Sequence, residues 1–170
     1  MNKVNHISTH GFSPVIDKES KMLILGSFPS VKSRADKFFY MHPQNRFWDV
    51  LAKVFNDNSF LSENITIKIN TLKKHNIALY DVIESCDIIN SQDSTISNVE
   101  PTNIKKLIQN TNIKQIYLNG KKAYDLFKKY NPKLKSMGCY LPSTSSANAR
   151  YRLNDLIHIW KTNITENTFT

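Results

Sequence analysis

The stretch YMHPQNRFW, residues 40–48, sets a phenol, an imidazole, a carboxamide and a guanidinium close together. Phe47, Val50, Leu51, Val54 and Phe55 already supply the spacing of an amphipathic helix. Tyr40, His42 and Asn45 are therefore surplus to what that helix needs. A carboxamide such as Asn45 is no general base at neutral pH, but it can donate to or accept from groups that become charged in a reaction. His42 stands before Pro43 and reads as a turn residue more readily than as a proton donor. Tyr40 offers an aromatic face, although Phe38 and Phe39 beside it could meet the needs of a core.

A second stretch, LPSTSSANAR (141–150), places four hydroxyl residues after a proline, followed by Arg150 and then Arg152. Hydroxyls and backbone N–H groups at a helix N-terminus suit phosphate oxygens, and arginines add charge. The same residues also describe an ordinary serine-rich cap of the last helix. GSFPS (26–30) reads as a strand-to-loop corner, where glycine permits tight backbone and proline fixes the exit. It is neither a Walker pattern nor G-x-G-x-x-G.

The elements that must hold these stretches follow from periodicity. KMLILGSF (21–28), IALYDVI (77–83), KQIYLNG (114–120) and MGCYLPST (137–144) read as strands. Between them, a polar loop is expected over 29–43, then a helix from about Gln44 to Phe55. Ile65, Ile69 and Leu72 keep helical spacing up to His75–Asn76, and a long polar loop is expected from Ile83 through Asn98. Pro101 opens a helix with Thr102 or Asn103 as cap, Gly120 turns a strand into a helix that Pro132 stops, and Leu153, Leu156, Ile157, Trp160 and Ile164 share a face of the last helix. Alternating strands and helices predict a parallel sheet covered on both faces, with ligands at the carboxyl ends of the strands. GSFPS, the segment after Ile83 and LPSTSSANAR all lie at such ends.

Composition sets bounds. The chain has 170 residues, 40% hydrophobic and 22% charged, which fits one globular domain with a real core. Lys and Arg outnumber Asp and Glu by 23 to 14, a formal charge of +9. That favours a polyanion such as nucleic acid, or else describes a solvated lysine-rich surface. Two cysteines, Cys86 and Cys139, without a Cys-x-x-Cys, cannot by themselves hold an iron–sulfur cluster or a structural zinc. No apolar run approaches the ~18 residues of a membrane span, and MNKVNHISTHGF lacks the apolar stretch of a signal peptide. A reduced, cytoplasmic setting is expected.

Taken together, residues 22–30, 40–48 and 137–150 resemble the uracil-DNA glycosylase superfamily, closest to its hypoxanthine-DNA glycosylase (DNA-deoxyinosine glycosylase) branch. DVIESC (81–86) and YLNGKKAYDLF (117–127) extend the resemblance over most of the chain. The HP-x-N-RFW string is also similar to the mismatch-specific uracil glycosylases, so it marks the superfamily better than the substrate. The resemblance implies a three-layer α/β/α sandwich around a four-stranded parallel sheet, in one domain over 1–170, and the polar tail after about residue 164 is itself expected to fray. It implies a monofunctional glycosylase of base excision repair that flips out a deaminated base, hypoxanthine first and uracil or xanthine besides, with no metal or cofactor. The partner would be single- or double-stranded DNA, met as a monomer. Two positions depart from the pattern: Phe28 stands where many relatives carry a water-activating Asp or Asn, and Leu141 where several carry histidine. The alternatives are a mismatch-specific uracil glycosylase and a non-catalytic module for damaged DNA or nucleotide.

Carried onto this chain, the resemblance makes Asn45 the catalytic group. Tyr40 would stack on the extruded base, with Ser27, Phe28, His42 and Asp81 as further base-binding residues. Ser143, Ser145 and Ser146 would grip flanking phosphates, Ala147 and Asn148 would form a small wedge, and Lys121 and Arg150 would contact DNA.

Overall fold

The structure, a computed structural model, describes residues 4–7, 10–89 and 92–168. In chain order its elements are β1 (Val4–Ile7), β2 (Met22–Gly26), α1 (Val31–Asp36), α2 (Phe47–Val54), α3 (Ile65–Lys74), β3 (Ile77–Asp81), β4 (Ile83–Ile89), β5 (Ser97–Pro101), α4 (Ile104–Ile108), β6 (Gln115–Asn119), α5 (Lys121–Tyr130), β7 (Gly138–Leu141) and α6 (Leu153–Thr168). The four apolar runs form one parallel sheet in the order β3-β2-β6-β7. Leu23, Ile24, Leu25 and Leu118 in its middle strands are fully buried. Burial on both faces is what makes such strands apolar along their whole length. α5 packs on β6 and β7, α3 on β3, and α2 on α6. The α/β fold with a central four-stranded parallel sheet and helices around it is as the sequence predicts. Among the described residues no helix is long and apolar enough to cross a membrane.

The register fixes where function can sit. Gly26 pairs with Asp81 and Asn119 with Leu141, so the carboxyl ends of all four strands finish at one edge.

Several expectations need correction. The polar loop expected from Ile83 to Asn98 contains β4, and β4 with β1 and β5 makes a second, antiparallel sheet. The 29–43 loop holds α1, capped by the Ser30 side chain accepting from the Ser33 N–H. α2 begins at Phe47 rather than Gln44, and α6 runs over Leu153–Thr168. Asn103 is the cap of α4, its side chain accepting from the Lys106 N–H.

Candidate active site

A cleft of about 630 Å³ opens at the strand ends. It brings together Ser27, Phe28, Tyr40, His42, Asn45 and Asp81 with Ser143, Ser145, Ser146 and Ala147. These come from segments as much as 120 residues apart, joined by the sheet register. Lys121, Asn148 and Arg150 do not line it.

Asn45 is held by a relay that begins in the core. The Thr144 N–H donates to Asn119 Oδ1 at 3.0 Å, and the same amide returns a hydrogen from Nδ2 to Thr144 Oγ1 at 3.0 Å. Both residues are buried. With Oγ1 already accepting, the single hydroxyl proton of Thr144 goes to Asn45 Oδ1, 2.8 Å away. The Phe47 N–H reaches the same oxygen at 2.9 Å, which starts α2. Two donors approaching from opposite ends of the relay fix which way the amide faces. Asn45 Oδ1 is saturated, and among the described residues Nδ2 has no partner. The site thus offers an amide donor whose orientation is set before a ligand arrives. Thr144 and the relay role of Asn119 escape a sequence reading.

Tyr40 sits at a left-handed φ of 54°. Such a conformation costs a non-glycine residue of order 1 kcal/mol or more unless its surroundings impose it. Here the Trp48 indole N–H donates to the carbonyls of Phe39 and Tyr40, at 3.3 and 3.2 Å. The result lays the Tyr40 ring on Phe47, centroids 3.9 Å apart. One face of the ring is therefore covered by protein while the residue lines the cleft. His42 is exposed at the rim, its Nδ1 accepting from the Gln44 N–H at 3.2 Å, as a turn residue does.

The floor is built on Gly26. A Cβ there would lie 2.5 Å from Asp81 Oδ1 and 3.0 Å from the Tyr40 hydroxyl. Asp81 is 3% exposed, and its Oδ2 is 2.7 Å from Nε2 of the equally buried His10. Behind His10, Tyr80 donates its hydroxyl to both oxygens of Glu84. Burial first, then the bond and charge of Glu84 and the charge of Asp81, push the Tyr80 hydroxyl far above its ordinary pKa, so it stays a neutral donor. Because the carboxylate of Asp81 is tethered, it cannot yield to a methyl group. Gly26→Ala is expected to displace the floor of the cleft and to reduce stability by roughly 1–3 kcal/mol, read by thermal melting. His10 carries no motif signal and was not expected.

The loop 142–152 corrects another expectation. It is not the start of α6, and its serines do not cap that helix. Asp155 Oδ2 instead accepts from the Arg152 N–H at 2.9 Å. The hydroxyl oxygens of Ser143 and Ser145 accept from the N–H groups of Ser145 and Ala147, folding the loop on itself while each keeps a proton to donate. Arg46, which the sequence reading left without a role, clamps this loop. Its guanidinium donates to the carbonyls of Thr144, Ser145, Asn148 and Tyr151. Gly120, at φ 100°, lies under it; a Cβ there would meet the Cβ of Ser143 at 3.0 Å. Lys121 is highly exposed and paired with Asp125, and Arg150 lies over the Tyr151 ring.

Comparison with known proteins bears on the family and the fold. The family model described as the uracil DNA glycosylase superfamily matches residues 13–163. A hypoxanthine DNA glycosylase of Methanosarcina acetivorans is 34% identical over 148 residues, covering 85% of this chain and 90% of its own. One of the same description from Methanosarcina barkeri is 34% identical over 144 residues, 82% of this chain and 88% of the relative. The solution NMR structure of a candidate uracil DNA glycosylase from Methanosarcina acetivorans superposes with a TM-score of 0.73 at 31% identity, over 92% of this chain and 98% of that one.

Proposed function

We propose that this chain, which belongs to the uracil-DNA glycosylase superfamily and is a DNA glycosylase, removes hypoxanthine from DNA by drawing the nucleotide into the cleft at the strand ends. The observation that carries the reading is the state of Asn45: its oxygen is taken twice and its NH₂ is left for a ligand. Hydrolysis of the N-glycosidic bond passes through a cationic sugar while negative charge grows on the departing base. A fixed N–H aimed at that charge stabilises the transition state more than the ground state. With Oδ1 occupied, Asn45 acts as donor to the base rather than as acceptor for a water proton. That suits a deaminated base, whose departure needs less assistance than that of an ordinary one.

The rest of the cleft divides the work. Tyr40, backed by Phe47, offers a stacking surface that offsets part of the few kcal/mol lost when a base leaves the duplex. Ser27, Phe28 and His42 form wall and rim, and Asp81 reads the base edge from the floor. Ser143, Ser145 and the exposed Ser146 donate to phosphate oxygens flanking the extruded nucleotide. Ala147 and Asn148 form a wedge of small side chains, and Arg150 and Lys121 add long-range attraction. The enzyme works as a single subunit in the cytoplasm, in base excision repair, on single- or double-stranded DNA.

The test uses oligonucleotides carrying one inosine, uracil or xanthine, with alkali to cleave abasic sites. Scission at inosine is the expected result. Scission only at uracil opposite guanine would make the enzyme a mismatch-specific uracil glycosylase, and no scission would make it a binding module.

A further inference from the structure

His10 takes no part in the scheme above, yet it is 3% exposed and bonded at both ring nitrogens. Nδ1 lies 3.1 Å from the carbonyl of Phe12, and a carbonyl only accepts, so Nδ1 carries a hydrogen. Nε2 lies 2.7 Å from Asp81 Oδ2, with one proton between them. That proton sits either on nitrogen, giving imidazolium and carboxylate, or on Oδ2, giving imidazole and acid. In both cases Oδ1 of Asp81 bears none. Four rings surround the imidazole, with centroids at 4.3 Å for Tyr80, 4.4 Å for Phe12, 6.0 Å for Phe39 and 6.2 Å for Phe28. The imidazole cannot swing away. Among the described residues Oδ1 has no hydrogen-bond partner, and it lies against Gly26 at the floor of the cleft. His10 also precedes the span 13–163 that the family model matches.

We propose that His10 is a positioning residue that makes Asp81 an acceptor-only reader of a ring N–H on the extruded base. This rests on the glycosylase reading and adds its specificity. Hypoxanthine, xanthine and uracil each carry an N–H beside a carbonyl. Adenine and cytosine carry a lone pair on the same ring nitrogen, which would face the lone pairs of Oδ1. Deamination converts that lone pair into N–H, so one acceptor of fixed protonation separates the product from its parent base. Without His10 the carboxyl group is free to turn or to take a proton on Oδ1, where it would donate to the adenine lone pair. Guanine shares the N–H, so its exclusion falls to other walls of the cleft.

The test measures binding of the full chain to duplexes carrying uncleavable 2′-fluoro-deoxyinosine or 2′-fluoro-deoxyadenosine at one position, with thermal melts as a check on folding. His10→Leu is expected to lower the inosine-to-adenosine affinity ratio by about 10- to 100-fold, the usual worth of a hydrogen bond to a charged group, without changing affinity for undamaged duplex. His10→Gln, which can bring an N–H to Oδ2, should restore most of the ratio. In an Asp81→Ala background His10→Leu should add nothing further. A folded His10→Leu protein that keeps the wild-type ratio overturns the proposal, as does a His10→Gln protein no better than His10→Leu. Should His10→Leu not fold, 1-methylinosine serves with the wild type: its methyl replaces the hydrogen, and binding as tight as to inosine would overturn the idea. A wild type that prefers 2′-fluoro-deoxyuridine over 2′-fluoro-deoxycytidine, but not inosine over adenosine, removes the hypoxanthine reading alone. The same His10 variants then decide this proposal on that second pair of bases.

Discussion

Asn45→Ala is expected to slow single-turnover excision by about 10²–10³-fold, the usual cost of losing one preorganised donor to a developing negative charge. Affinity for DNA should stay within roughly threefold, because the lost group acts on the base in the transition state and not on phosphates. Asn45→Asp makes the sharper comparison. It keeps both bonds to Oδ1, from Thr144 and from the Phe47 N–H, yet replaces the donor with an anionic acceptor. If Asn45 served by accepting a proton from water, aspartate would match or exceed it. As a donor site it should be as inactive as alanine. Thr144→Val removes the hydroxyl but leaves the Phe47 N–H to orient the amide, so a smaller loss of about tenfold is expected. Full turnover by Asn45→Ala, or faster turnover by Asn45→Asp, would refute the donor role.

What could be read from the sequence, and what could not, follows from the range of the interactions. β2, β3 and β6 are legible because strands buried on both faces carry long apolar runs, while β7, an edge strand with Tyr140 exposed, is legible only as a short apolar run after a glycine. β4 is not, since its burial follows no clean alternation: Ile83, Ser85, Cys86 and Ile88 are buried, and register shifts against β5 fall between Ile83 and Asp87. An expectation of period two finds no match there. Asn45 stands out as a polar residue that an apolar helix does not need. Its orientation depends on Thr144, ninety-nine positions away, and no local pattern encodes that. His10 meets Asp81 across seventy-one positions of chain, from a segment without periodicity. A lone histidine beside a glycine reads as a turn until its partner is known. The serines of 143–146 mislead for another reason: residues that cap helices also fold loops on themselves, and only tertiary placement decides between the two.

Arg46→Ala should produce the opposite phenotype from its neighbour Asn45→Ala. Its backbone N–H and Nε reach the Thr144 carbonyl at 3.0 and 3.3 Å, Nη2 reaches Ser145 at 2.8 Å and Asn148 at 3.2 Å, and Nη1 reaches Tyr151. The side chain thus ties the loop that carries Ser143, Ser145 and Ser146 to the first turn of α2. Truncation leaves four carbonyls without their charged donor, and hydrogen bonds to charged groups are worth roughly 1.5–3 kcal/mol each where no water replaces them. Part of the loop is exposed, so water will recover some of that, and a net loss of about 2–4 kcal/mol is expected. For a chain of this size it corresponds to a fall in Tm on the order of 5–15 °C. DNA affinity should drop by about tenfold or more, because the serines no longer present their protons together. Arg46→Lys should be nearly as damaging: an ammonium on a flexible stem cannot span four carbonyls that a planar fork reaches at once. Thermal melting and equilibrium binding to an uncleavable inosine duplex would check both variants. An Arg46→Lys protein with wild-type Tm and affinity would mean that charge alone holds the loop, and that the fork geometry contributes nothing.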